Sequence, residues 1–161
     1  MRMSPLALAF GLTASSFAVT GTMAQEAPAR TNPVSVALLE KGKTALAAGD
    51  LEAADDAFEA ALVADPANRA AFVAMGRVAI AQELYGQAFQ MTRKALTLEP
   101  TDRDALQVQT EALVKMGALD RAKANRAKLA KLCPTGCAQL TTSDETIALA
   151  AATPANQARN N

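Results

Sequence analysis

The chain has 161 residues, of which half are apolar, and its 16 basic and 16 acidic side chains give a net charge of zero. This length accommodates one domain, and the apolar content excludes an intrinsically disordered protein. The balanced charge gives no general attraction to nucleic acid or anionic lipid. Aromatic residues make up only 4% and alanine is abundant, which favours closely packed helices over a β-sandwich.

The segment 1–24 is predicted to be a cleaved Sec-type signal peptide. Arg2 supplies a positive charge, residues 6–19 are mostly apolar, and Thr22-Met23-Ala24 offers small residues for cleavage after Ala24. The apolar stretch is shorter than the roughly 20 residues that a membrane-spanning helix needs. We therefore expect a periplasmic or secreted protein that has no stable membrane insertion after signal removal.

Residues 25–33 contain two prolines and little apolar content, and are predicted to be a flexible linker. Apolar residues at helical spacing then predict six helices. The predicted helices span residues 34–48, 51–64, 69–83, 86–98, 103–116 and 119–132. Asn68 and Asp102 are suited to be N-caps of the third and fifth helices, because their side chains can accept a hydrogen bond from a free backbone N–H.

A regular repeat is the strongest pattern in the sequence. Pro66, Pro100 and Pro134 recur with a period of about 34 residues. Other residues recur in phase with them: Gly42 with Gly76, Ala45 with Ala79, Ala54 with Ala88 and Ala122, Ala61 with Ala95, and Leu51 with Tyr85 and Leu119. Glycine and alanine recur where the backbones of two antiparallel helices approach closely, so the pattern predicts stacked helical hairpins.

The segment GDLEAADDAFEAALVADPAN, residues 49–68, resembles the second half of a tetratricopeptide (TPR) repeat. Ala54, Phe58, Ala61 and Pro66 occupy the small, aromatic, small and proline positions of that family. The resemblance implies an all-α fold, a short right-handed α-solenoid of three helix-turn-helix repeats with a C-terminal capping helix. Such a stack buries the apolar face that a single hairpin cannot bury alone.

The resemblance divides the chain from residue 34 to residue 152 into three units and a cap. The units span residues 35–68, 69–102 and 103–136. The first two depart from the family pattern only at Lys41 and Thr92. The third departs at Gln109, Thr110 and Arg126, as expected for a terminal repeat.

In TPR proteins the first helix of each hairpin lines a concave groove that holds a partner peptide or helix. When the groove positions of the family are transferred to this sequence by repeat position, the resemblance predicts a groove lined by Val36, Leu39, Glu40, Lys43, Leu46, Val73, Arg77, Ile80, Gln107, Val108 and Glu111. Some of these side chains could instead complete the core. The set lacks the Lys and Asn arrangement with which chaperone-adaptor relatives hold a C-terminal carboxylate. We therefore expect a protein partner that offers an amphipathic helix or an extended apolar segment.

Cys133 and Cys137 are the only cysteines. Pro134 ends a helix and Gly136 is flexible, so the chain can bring the two Cα atoms within the roughly 4.4–6.8 Å that a disulfide requires. An export signal places the pair in an oxidising compartment. A structural disulfide between the last repeat and the cap is the leading interpretation, and a redox-active pair stays open. A metal site is disfavoured because the chain has no histidine.

Charge is distributed unevenly along the predicted stack. An acidic cluster in the first repeat comprises Asp50, Glu52, Asp55, Asp56 and Glu59, and the third repeat carries Lys115, Arg121, Lys123, Arg126, Lys128 and Lys131. We interpret the acidic cluster as a solvated helix face. The basic set is either solvated, or contacts an acidic partner or another copy of the chain. Nucleic-acid binding is not expected, because no aromatic residue accompanies the basic set.

The sequence offers no recognisable catalytic site. Histidine, the commonest general base, is absent, and the scattered glycines form no phosphate-binding loop. We therefore predict a protein that is not an enzyme and has no cofactor. Two alternatives to the groove-binding module are kept: a thiol-redox accessory protein that uses Cys133 and Cys137, and a self-assembling structural component.

A seventh helix is predicted to cover the end of the stack. Residues Thr142 to Glu145 have the spacing of a capping box, and the apolar run Ile147 to Ala152 follows them. The last residues, 153–161, are polar and are expected to be a disordered tail.

Overall fold

The computed structural model describes residues 32–152. The predicted signal peptide, residues 25–31 of the linker and the predicted tail lie outside the described residues. Seven α-helices and no strand are present between residues 32 and 152, which confirms the all-α class. The helices are α1 (Pro33–Ala47), α2 (Leu51–Ala64), α3 (Arg69–Ala81), α4 (Tyr85–Leu98), α5 (Arg103–Lys115), α6 (Leu119–Leu132) and α7 (Ala138–Ala152).

Side-chain caps determine where several of these helices begin. The carboxylate of Asp50 accepts a hydrogen bond from the backbone N–H of Ala53, at 3.0 Å. Asn68 and Asp102 make the equivalent bond at 3.2 and 2.7 Å. Each bond satisfies an N–H that has no partner within the helix. The predicted N-caps of α3 and α5 are thus confirmed.

The turn inside each hairpin places one residue in the left-handed region. These residues are Gly49, Glu83 and Gly117, with φ of 80°, 62° and 74°, and they occupy the same position of the three repeats. α3 was predicted to continue to residue 83, but it ends at Ala81. The predicted end was wrong because Glu83 does not give the glycine signal found in the other two turns.

The three prolines occupy equivalent corners of the stack. Pro66, Pro100 and Pro134 each follow closely on the last residue of α2, α4 and α6, which are Ala64, Leu98 and Leu132. Proline prevents the preceding residue from continuing a helix, so each unit ends at the same point.

The helices are arranged in two layers. The first helices of the hairpins form the inner layer, in which α1 contacts α3 and α3 contacts α5. Each of the second helices, α2, α4 and α6, packs on the first helix of its own hairpin. α2 and α4 also pack on the first helix of the next hairpin. Within the described part of the chain no Cα atoms of two second helices come within 8 Å of each other, so the outer layer has grooves between its helices.

Small residues allow the close packing that the sequence predicted. Ala54, Ala88 and Ala122 are fully buried at the same position of the three units. Phe58 is also fully buried and lies against Gly42, where an added Cβ would approach three ring atoms more closely than 3.0 Å. The first hairpin therefore depends on a large ring opposite a residue without a side chain.

The helix α7 packs against α5 and α6 and covers the end of the stack, as predicted. It starts at Ala138, so the assignment of Thr142 to Glu145 as its capping box was wrong. The hydroxyl of Ser143 instead donates to the backbone oxygen of Gln139, one turn earlier inside the helix. Among residues 32–152 no helix combines the length and apolar content needed to cross a membrane.

Candidate functional site

A cavity of about 140 Å³ opens on the inner layer between α1, α3 and the start of α5. It is lined by Lys43, Leu46, Arg69, Ala70, Val73, Ala74, Arg77, Asp102 and Asp104. We call this cavity the inner groove. It lies on the first helices of the hairpins, which are the elements that the sequence predicted to carry a partner.

The floor of the inner groove is apolar and belongs to the core. Val73 and Ala74 are buried on α3, while Leu46 and Ala70 are half-buried beside them. Because this floor is packed from below, it cannot close by collapse of the side chains. It offers a fixed apolar surface to an apolar side chain from another molecule.

The rim of the inner groove is charged, but each cation has an acidic neighbour. The Lys43 ammonium lies 2.8 Å from Glu40, and the Arg77 guanidinium lies 3.6 Å from Asp104. The guanidinium of Arg69 binds the carboxylate of Asp102, the buried N-cap of α5. The rim is therefore close to charge balance, and the two exposed pairs are free to rearrange.

Four of the eleven predicted groove residues line the inner groove: Lys43, Leu46, Val73 and Arg77. Leu39 and Val108 are 6% and 1% exposed and belong to the core. The remaining five predicted residues do not line the cavity: Val36 and Glu40, which are exposed, and Ile80, Gln107 and Glu111, which are half-buried.

Five lining residues were missed: Arg69, Ala70, Ala74, Asp102 and Asp104. The period of the repeat could have found three of them. Ala70 and Asp104 are in phase with the predicted Val36, and Ala74 is in phase with Glu40. Arg69 and Asp102 carry no such signal, because their pairing depends on how two successive units stack.

The two cysteines lie at the corner between α6 and α7. Their Cα atoms are 5.8 Å apart, and the two sulfur atoms are at bonding distance. Cys133 is 5% exposed, Cys137 is half-buried, and the guanidinium of Arg103 lies 4.0 Å from the Cys133 sulfur. Between residues 32 and 152 no three Cys, Asp or Glu side chains gather in a group that could hold a metal ion.

The acidic cluster of the first repeat lies at the N-terminus and on the outer side of α2. Asp50 caps the helix, and Glu52, Asp56 and Glu59 are exposed. Partial burial, together with the neighbouring charge of Asp56, raises the pKa of Asp55 above its ordinary value. The cluster is a surface of like charges, and the described residues give it no ion pair.

Five cations of the basic third repeat are exposed on α5 and α6, and the sixth, Arg126, is bound. The Arg126 guanidinium donates to both carboxylate oxygens of Asp144 on α7, at 2.5 and 3.0 Å. The hydrogen bond from Arg126 is the main reason why the pKa of Asp144 is lowered. One member of the predicted basic set therefore attaches the capping helix.

Solved TPR domains resemble this structure at low sequence identity. The Sgt2 TPR domain from Aspergillus fumigatus is 21% identical with a TM-score of 0.69, and the match covers 80% of this chain and 83% of that chain. The first TPR of Spaghetti (RPAP3), bound to the HSP90 peptide SRMEEVD, is 20% identical with a TM-score of 0.69, covering 77% and 100%. The Arabidopsis OM64 TPR domain is 17% identical with a TM-score of 0.67, covering 74% and 98%.

No protein-family model matches the sequence, and no curated protein matches it either. The similarity to solved structures establishes the fold, a stack of TPR-type helical hairpins.

Proposed function

We propose that this chain is an exported, non-enzymatic interaction module of the cell envelope, which binds a segment of a protein partner in the inner groove. The observation that carries the proposal is a preformed cavity on the inner layer with an apolar floor and a charge-balanced rim. Concave sites that combine apolar surface with placed polar groups are typical of ligand binding in proteins.

The similar structures support a peptide as the ligand. Both the first and the second TPR of Spaghetti (RPAP3) have been solved with the HSP90 peptide SRMEEVD. That peptide is acidic, whereas the cations of the inner groove already lie beside acids of this chain. We therefore propose a different ligand, an amphipathic helix or an extended segment that places apolar side chains over Val73 and Ala74.

The periplasmic location is part of the proposal. It is supported by the sequence of residues 1–24, in which a positive charge is followed by an apolar stretch and then by small residues suited to cleavage. It is also supported by the position of the cysteine pair, because a disulfide persists in an oxidising compartment.

Cys133 and Cys137 are proposed to form a structural disulfide that attaches α7 to the last repeat. The burial of Cys133 and the partial burial of Cys137 favour this role over thiol exchange, which needs an accessible sulfur. Mass spectrometry of the exported protein, with and without glutathione, separates the two. A bond that persists in glutathione supports the structural role, and rapid reduction of the bond in the folded protein supports the redox alternative.

Crosslinking of the full chain in an envelope fraction, followed by affinity capture, tests the groove. Leu46→Glu places a charge at the half-buried edge of the floor, and Arg77→Glu reverses a charge on the rim. Lys41→Glu is the matched control, since Lys41 is exposed on α1 but does not line the groove. Leu39 is unsuitable for such a test, because a charge at this buried position would disrupt the core.

We expect the wild type and Lys41→Glu to capture the same partner, and both groove variants to lose it while remaining helical by circular dichroism. Folded Leu46→Glu and Arg77→Glu proteins that retain every partner would show that the inner groove is not the binding site.

A further inference from the structure

The outer layer contains two grooves in equivalent positions, and the sequence fills them differently. Between α2 and α4, the buried Met75 belongs to the core cluster that includes Phe58, and the half-buried Met91 packs against that cluster. The residues in phase with them in the next groove, between α4 and α6, are Gln109 and Asn125. Two thioethers are thus replaced by two amides, although the surrounding helices are arranged in the same way.

The amides form a hydrogen-bonded row instead of an apolar plug. Asn125 donates to the side-chain oxygen of Gln109 at 2.9 Å, and Gln109 donates to the Thr92 hydroxyl at 3.3 Å. Above this row a cavity of about 290 Å³ stays open. It is lined by Phe89, Arg93, Leu96, Gln109, Leu113, Arg121, Ala124, Asn125 and Lys128. We call it the outer pocket.

The outer pocket is positively charged. Arg93, Arg121 and Lys128 line it, and none of them has an ion pair within residues 32–152. The Arg121 guanidinium lies over the Phe89 ring, 4.5 Å from its centroid, which holds this cation at the mouth of the pocket. Three unneutralised cations around amide groups form a surface that suits carboxylates.

The chain itself carries a surface of the opposite charge in the same layer. Glu52, Asp56 and Glu59 are exposed on α2 at the spacing of one helix face, and Val63 continues that face with 85% exposure. No cation between residues 32 and 152 pairs with these acids. We call this surface the acidic face. Glu59 on α2 corresponds by repeat position to Arg93 on α4, which lines the outer pocket. The charge at this position is therefore negative in the first repeat and positive in the second.

The positions of the two surfaces allow reciprocal contact between two copies. The acidic face is on α2, the outer pocket is between α4 and α6, and α4 lies between them in sequence and in the outer layer. A twofold axis near α4 would therefore bring each acidic face to the other copy's outer pocket. Such an arrangement closes after two copies and repeats each charge contact twice.

We propose that the chain forms a symmetric dimer through its outer layer, in which the acidic face of each copy binds the outer pocket of the other. This surface is separate from the inner groove, which stays open to a partner in both copies. Because the contacts are ionic and partly exposed, added salt weakens them.

Sedimentation velocity of the exported chain, without the predicted signal peptide, tests the dimer at low and high salt. We expect dimers at about 50 mM salt and monomers at about 500 mM, where charges are screened within a few ångströms. Arg121→Glu with Lys128→Glu reverses the outer pocket, and Asp56→Lys with Glu59→Lys reverses the acidic face. Each pair of substitutions is expected to weaken dimerisation at low salt by about tenfold or more.

Mixing the two variants provides the decisive comparison. In a mixed dimer, the reversed pocket meets the reversed face and the two unaltered surfaces meet each other, so dimers are expected to return. A matched control is Lys123→Glu with Lys131→Glu, which makes the same charge change on α6 outside the pocket and should leave the dimer intact.

A wild-type chain that is monomeric at low salt, or a mixture that stays monomeric, overturns the proposal. A control that dissociates as much as the pocket variant also overturns it, because net charge would then be the cause. Growth beyond a dimer contradicts the twofold arrangement. None of these results bears on partner capture by the inner groove, so the two proposals can fail separately.

Discussion

A single contact determines how closely the two helices of a hairpin pack. In the first hairpin the Phe58 ring occupies the space that a side chain at residue 42 would need. In the second hairpin the residue in phase with Phe58 is Thr92, and a Cβ added at Gly76 would lie 3.0 Å from its methyl carbon. The same backbone arrangement is thus reached with an aromatic ring in one unit and a small β-branched side chain in the next.

Gly42→Ala is expected to lower the free energy of unfolding by about 1–3 kcal/mol, because the fully buried Phe58 ring would have to shift within the core to admit the added Cβ. Gly86→Ala is the matched control. It lies in the first turn of α4 with nothing within 4 Å of an added Cβ, so a gain of up to about 1 kcal/mol is expected. Urea unfolding of both variants measures the difference, and equal effects would contradict the packing argument.

The row formed by Thr92, Gln109 and Asn125 is a second feature at this scale. Asn125→Met removes the donor to Gln109 and is expected to cost about 1–3 kcal/mol. Adding Gln109→Met restores the residue types of the first groove, while the Thr92 hydroxyl keeps its bond to the Ala88 carbonyl at 2.9 Å. We expect the double variant to be more stable than Asn125→Met alone. Additive losses in a double-mutant cycle would show that the two amides are not coupled.

At the scale of helices, the boundaries could largely be predicted because their signals are local. Asn68 and Asp102 cap the helices that follow them, and the spaced prolines end the second helices. Two errors have local causes as well. Glu83 adopts the left-handed turn without the glycine that normally indicates it, and Thr142 begins a capping-box pattern in a helix that had already started at Ala138.

The attachment of α7 depends on side chains from different units. Arg126 stands where the TPR family prefers an aromatic residue, and it pairs with Asp144 instead. The sequence identified Arg126 as a departure from the pattern, but its partner lies in a later helix whose docking is not periodic. The Thr92 and Gln109 departures are also side by side in space although they belong to different hairpins.

The Arg126–Asp144 pair predicts a pH dependence of stability. The pKa of Asp144 is lowered from an ordinary value of 3.8 in the folded protein. The charged carboxylate therefore stabilises the fold at pH values above the ordinary pKa. This stabilisation is lost as the pH falls through the lower pKa of the folded state, where the carboxylate is protonated. We expect Asp144→Asn to be less stable than wild type near neutral pH, with the difference shrinking at more acidic pH. Because both side chains are more than 40% exposed, the effect is small.

Urea unfolding at about pH 6 and about pH 3 measures this difference. The neighbouring Glu145→Gln, at an exposed position of the same helix, is the control and should show a smaller difference at both pH values. A difference for Asp144→Asn that does not change with pH would contradict the assignment.

At the scale of the whole molecule, the regular period of the repeat predicted the stack but not which side chains line its inner groove. A repeat position specifies which side of a helix a residue occupies, yet the neighbouring units decide whether that side stays open. Leu39 and Val108 were assigned to the groove and are covered by neighbours, whereas Ala70 and Ala74 were passed over and line it. Val73 and Ala74 of the floor are themselves only 3% exposed, so neither hydrophobic content nor burial alone indicates which side chains line the groove.

The central claim is that the inner groove holds a segment of another protein. Photo-crosslinking from a single position tests it most directly, with the reactive group placed at residue 43 or residue 41 of the full chain in cells. Both positions are exposed on α1, but only Lys43 lines the inner groove. We predict a discrete protein adduct from position 43 and none from position 41. No adduct from position 43, or the same adduct in equal yield from both positions, would contradict the claim.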